Sequence, residues 1–137
     1  MVGQLRHLAD QTSLFANISS TDIADLLKSA VAIGSGSLLS PGSSRLQLAR
    51  PSPVLPPFSE NLYYALGVVV TNSWVVQTPS FAGYAAAMAY LPSRRIGIAV
   101  TATVGPETPD APRPTDILFQ KLGEFLAPDN PPKLLSR

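Results

Sequence analysis

The chain has 137 residues, of which 45% are hydrophobic and 14% charged, enough apolar content for one domain around a single core. A net charge of +1, with the basic residues scattered and Arg94-Arg95 their only adjacent pair, argues against a nucleic-acid surface. Cysteine is absent and His7 is the sole histidine, so disulfides, thiolate chemistry and a histidine-based metal site are excluded; no metal and no cofactor are expected.

Met1 to Asn17 is weakly patterned, with Leu5, Leu8 and Ala9 able to share one helical face. It lacks the cationic-then-apolar layout of a signal peptide. No apolar run of about 18 residues is free of turn signals anywhere in the chain, so no membrane span is expected. Ser19 to Asp22 reads as a helix start, with a hydroxyl to cap free N–H groups and Asp22 and Asp25 at the positive end of the dipole. Ile23, Leu26, Leu27, Ala30 and Val31 then form one apolar face, and Gly34 is expected to stop the helix. Ser40-Pro41 opens a second, short helix anchored by Leu46 and Leu48. Arg50 to Phe58 holds closely spaced prolines and must be extended, a strap across the surface.

The apolar middle of the chain reads as strands. Leu62 to Val70 is β-branched and aromatic, Thr71-Asn72 is a turn, and Ser73 to Gln77 is the return strand, ended by Pro79. Ala82 to Tyr90 has alanines that favour helix, but Gly83 and Pro92 bracket a length that suits a strand, and a strand is expected. Its small residues suit burial on both faces. Ile96 to Thr103 is a further strand after a turn at Leu91 to Arg95. Gly105 to Pro114 is a second strap. Thr115-Asp116 opens a helix with Ile117, Leu118, Leu122, Phe125 and Leu126 on one side, Pro128 ends it, and the tail is expected to fray. The fold class is therefore α+β: an antiparallel sheet of three to four strands flanked by N- and C-terminal helices, in a single domain, with 1–18 and 128–137 peripheral.

No complete active site is spelled out. The Gly-x-Ser-x-Gly elbow is missing, and the glycines around Ser35 complete neither a dinucleotide nor a P-loop pattern. Ser-x-x-Lys is missing at Lys28, Lys121 and Lys133, and Tyr-x-Asn is missing throughout. Two carboxylate pairs, Asp22 with Asp25 and Glu107 with Asp110, are accounted for by a helix start and a strap.

Val75 to Thr103 nevertheless carries Gly83-Tyr84, Tyr90-Leu91-Pro92 and the Ile/Val-rich Ile96 to Val100 in one order. Tyr64 to Val68 precedes them, and a helix with a Leu-Leu-Ser-Pro turn lies upstream. Over about Ser19 to Leu126 this order resembles the C-terminal sheet of the serine β-lactamase-like family of β-lactamases, carboxypeptidases and esterases. The resemblance implies that Gln77-Thr78-Pro79 occupies the place of the family's His/Lys-Thr/Ser-Gly triplet. Gln77, Thr78 and Ser80 then become candidates for a substrate groove, with the Ser80 N–H at the oxyanion position. Two departures stand out. The chain begins downstream of the family's nucleophile and base motifs, and Gln77 brings no positive charge. The expectation is the C-terminal part of a serine hydrolase, inactive by itself, acting with a separate N-terminal part; membership would imply the cell envelope or secretion. The alternative is a non-catalytic binding or assembly module that recruits a partner or self-associates through exposed sheet edges. A third reading is a small α+β domain whose likeness is accidental.

Overall fold

A computed structural model describes residues 22–51, 55–81, 83–103, 105 and 113–134. His7, Glu107, Asp110 and most of both proline-rich straps' central residues lie outside them.

Helix α1 spans Ile23–Ser35. The Asp22 carboxylate caps it by accepting from the Asp25 N–H at 2.8 Å, and Gly36, at φ 68°, closes it with its N–H on Ala32 and Ile33 carbonyls. The helix thus runs through Gly34, which was expected to end it. A glycine inside a helix is tolerated; the stop is the left-handed position, where glycine escapes the Cβ penalty. Helix α2, Pro41–Gln47, starts at Pro41 with Ser40 as its cap.

Six strands follow: β1 Leu62–Tyr64, β2 Val69–Thr71, β3 Trp74–Gln77, β4 Ser80–Phe81, β5 Tyr84–Leu91 and β6 Ile96–Thr103. All pairings are antiparallel. Strands β3 and β4 pair with successive parts of the same side of β5 in one unbroken register, Gln77 opposite Met88 and Ser80 opposite Ala85. They are one strand nicked at Pro79, which gives its carbonyl to the Ala86 N–H at 2.8 Å but has no N–H to return. The sheet is therefore five strands wide, in the order β1-β2-β3/β4-β5-β6.

That exceeds the three to four strands expected. The extra strand comes from Leu62 to Val70, which is a hairpin rather than one strand. Gly67, at φ 76°, turns the chain, and the Ala65 N–H meets the Val68 carbonyl. The next turn is Asn72-Ser73, both at positive φ, one residue later than the sequence suggests. Of the expected strand Ala82 to Tyr90, the strand runs over Tyr84–Leu91; Ala82 lies outside the described residues.

Helix α3, Pro114–Leu126, completes the fold. Helices α1 and α3 cover opposite faces of the sheet. On one face Gly34 lies against Tyr90, Leu27 and Val31 lie against Gly97, and Ile33 and Leu48 pack on Val70 and Val75. On the other, Phe119 and Ala127 join Trp74, Val76, Ala87, Ala89, Leu91, Ile98 and Val100 in the main core. The buried stripe of α3 is Thr115, Phe119 and Gly123. The apolar side that the sequence groups together, Ile117, Leu118, Leu122, Phe125 and Leu126, is largely exposed, Phe125 at 83%.

Residues 129–133, expected to fray, are fastened over the β2–β3 hairpin instead. Thr71 Oγ1 donates to the Lys133 carbonyl at 2.6 Å and accepts from the Lys133 N–H at 2.8 Å. Asn72 donates to the Pro131 carbonyl, Asn130 donates to the Asn72 carbonyl, and Trp74 Nε1 donates to the Asn130 carbonyl at 2.8 Å. Arg94 pairs with Asp129. Asn72 serves this clasp twice, through its side chain and through its left-handed backbone at φ 46°. Replacing it by alanine is expected to cost about 2 kcal/mol, part hydrogen bond and part backbone. Asn72→Gly restores the backbone and should cost only about 1 kcal/mol. Urea midpoints of the two variants read the difference; equal losses would remove the backbone part.

Candidate functional site

Gln77, Thr78 and Ser80 sit together in sequence on the β3/β4 strand, but strand alternation separates their side chains. Gln77 shares its face with Val75, under α1; Thr78 and Ser80 share the α3 face. Gln77 Nε2 is committed to the Gly67 carbonyl in the β1–β2 turn. The Thr78 carbonyl accepts from Arg113 Nη1 at 3.5 Å. Ser80 is exposed. These three do not converge on one point from which a substrate could be held.

Among the described residues, the hydroxyls of the α1–α2 region find no base either. Those of Ser35 and Ser37 donate to the Ala32 carbonyl, and Ser40 donates to Ser43 Oγ. Lys28 is held above the ordinary lysine value by its 2.8 Å hydrogen bond to Asp25 and then by that carboxylate's charge. A lysine serving as a base must be neutral, so the shift runs the wrong way. Among the described residues no group of three His, Cys, Asp or Glu could hold a metal ion, and no helix is long and apolar enough to cross a membrane.

The sheet offers a different kind of site at β6. The bond from the Ala86 N–H to Pro79 fixes which β5 groups face β3/β4, so Ala85, Ala87, Ala89 and Leu91 face β6. Their partners Ala102, Val100, Ile98 and Ile96 turn inward, and Gly97, Ala99, Thr101 and Thr103 turn their N–H and C=O groups to the outer edge. Among the described residues nothing pairs with that edge.

Sheet edges are normally blunted by charge, proline, bulges or brevity. The opposite edge follows that rule, since β1 has three residues. Strand β6 has eight residues and, in the sequence IGIAVTAT, neither charge nor proline. An open groove of about 460 Å³ runs beside it, lined by Ile23, Ala24 and Leu27 of α1, Gly97 to Ala99 of β6, and Leu122 and Leu126 of α3. Ile23, Leu27 and Val31 recur every four residues and form one stripe on α1; Leu118, Leu122 and Phe125 form another on α3. Ile23 and Leu27 of the first stripe and Leu122 of the second reach the groove at the edge, from opposite faces of the sheet. Most of their members stay exposed, Ile23 at 54% and Leu118 at 47%.

No family model, curated protein or solved structure matches the chain. Periodicity in the sequence puts Ile23, Leu26, Leu27, Ala30 and Val31 on one face; the structure divides that face into buried Leu26 and Ala30 and an exposed stripe of Ile23, Leu27 and Val31. Periodicity gives no sign that both stripes reach one strand edge, because that depends on which strand ends the sheet.

Proposed function

We propose that this chain is a non-catalytic binding or assembly module that works by completing its sheet at β6. The observation carrying this is the eight-residue uncharged edge set between two exposed apolar stripes. Added polypeptide would gain backbone hydrogen bonds from Gly97, Ala99, Thr101 and Thr103, and side-chain burial against Ile23, Leu27, Leu122 and Leu126. Hydrogen exchange tests it. Those four outward amides are expected to exchange slowly under conditions where the module is engaged. Fast exchange at all four under every condition would defeat the reading.

A second reading is supported by motif placement. Gln77-Thr78-Pro79, Gly83-Tyr84, Tyr90-Leu91-Pro92 and Ile96 to Val100 fall in order along β3, β5 and β6, adjacent strands of one antiparallel sheet. This is the order expected of the C-terminal part of a serine β-lactamase-like hydrolase, in which Gln77, Thr78 and Ser80 would hold the place of the groove-lining triplet, with the Gln77 side chain turned to the other face of the strand. On that reading the 137 residues need a separate part to supply nucleophile and base, and β6 is where it would attach. Purified chain is expected to turn over neither a chromogenic cephalosporin nor a short-chain nitrophenyl ester. Sustained turnover that disappears when one serine of the chain is replaced would refute both readings as non-catalytic.

A further inference from the structure

The reading of β6 as a docking edge leaves its occupant open. Building on that reading, we infer that the occupant is a second copy of this chain, its β6 lying antiparallel to the first across a two-fold axis at Val100.

Four observations lead there. Only outward-facing residues can pair with outward-facing residues, and the register that uses all of them sets Gly97 opposite Thr103 and Ala99 opposite Thr101 of the second copy. Each such pair exchanges both its N–H···O=C bonds.

The two halves of the edge also complement each other. Gly97 to Ala99 is the half overhung by Ile23, Leu27, Leu122 and Leu126. Thr101 and Thr103 are exposed and carry no such cover. A two-fold axis at Val100 slides the bare half of each copy into the overhung half of the other. A one-sided strand acceptor needs no bare half.

Helix placement fits as well. Helix α3 packs on both β5 and β6, so it lies over the seam between them. With strands about 4.8 Å apart, the two α3 axes would lie about 10 Å from each other, the spacing of packed helices. Leu118, Leu122 and Phe125 would fill that contact. Helix α1 reaches back over β3, leaving more room on its face for Ile23 and Leu27.

Finally, the edge strand itself, residues 96–103, carries no charge that would repel a second copy, and the chain's net charge is only +1. The product is an isologous dimer whose two five-stranded sheets run on as one of ten strands.

The test is sedimentation of the full chain over a concentration series, with amide exchange read residue by residue. Wild type should form dimers, with Gly97, Ala99, Thr101 and Thr103 protected in the dimer. Thr101→Lys, at an exposed position, should weaken dimerisation about tenfold or more and leave the monomer's fold intact. Ala99→Pro, which removes an outward N–H but no bond to β5, should do the same. A dimer indifferent to both variants uses another surface and overturns the inference. A monomer whose four amides are protected has its edge covered from within the chain; the second copy is then wrong and the docking edge stands. A monomer whose four amides exchange freely overturns both.

Discussion

Trp74→Ala is expected to lower the unfolding midpoint by about 10–20 °C, the largest loss of any single side chain in the fold. Trp74 is fully buried at the centre of the main core. Its ring meets Phe119 edge-on at 6.2 Å, and its Nε1 donates to the Asn130 carbonyl at 2.8 Å. Truncation removes the ring, opens a cavity and breaks the contact between sheet and α3, for about 3–5 kcal/mol. Against a total stability of ~5–15 kcal/mol that is a large share. Trp74→Phe separates the contributions: it keeps most of the buried ring and loses the bond to Asn130, and should cost only about 1–2 kcal/mol beyond the smaller ring. If alanine and phenylalanine cost the same, the hydrogen bond rather than the core contact holds α3 in place.

Gly34→Val is the second. A Cβ at Gly34 would sit 2.5 Å from Tyr90 Cβ and 2.8 Å from Tyr90 Cδ1. Tyr90 Cβ belongs to the stem of a side chain on a central strand and has no rotamer that moves it away. Helix α1 must therefore lift from β5, loosening Leu26 and Ala30, which are buried beneath it. Overpacking of this kind costs about 1–3 kcal/mol, and a branched side chain adds to it. Gly34→Ala sets two effects against each other. Alanine gains about 1 kcal/mol of helix propensity and incurs the same first-atom clash. The clash is expected to win, giving net destabilisation in both variants, valine the worse. Chemical denaturation of the pair reads this directly, and a stabilised Gly34→Ala would mean that α1 does not approach the sheet so closely.

Much of the architecture is legible in the sequence because its signals are local. Strand β6 matches its expected bounds, Ile96 to Thr103, since β-branched residues run there between a turn and a proline-rich segment. Helix α2 follows from Pro41 after a capping serine. Where sequence and structure differ, the deciding signal is either weak or remote. Leu62 to Val70 looks like one strand because Gly67 is the lone turn residue inside an apolar run. Helix α3 shows a clear apolar side, yet periodicity says which residues share a side and not which side is covered. The covered stripe includes Gly123 because Pro132 lies so close that a Cβ there would approach it to 2.3 Å. That contact is invisible before the chain is folded. The separation of Gln77 from Thr78 and Ser80, by contrast, follows from strand alternation alone; reading the triplet as a unit hides it.

The clasp over the β2–β3 hairpin has a consequence for biosynthesis. Thr71, Asn72 and Trp74 wait for residues 130–133, and 56 to 62 positions separate the bonded partners. At a translation rate of ~5–20 residues per second, the nascent hairpin stands with its tryptophan uncovered for roughly 3–12 s before its lid has even been made. During that interval the ribosome-bound chain presents a greasy, half-finished surface. It is then, more than at any later moment, that a chaperone would find something to hold.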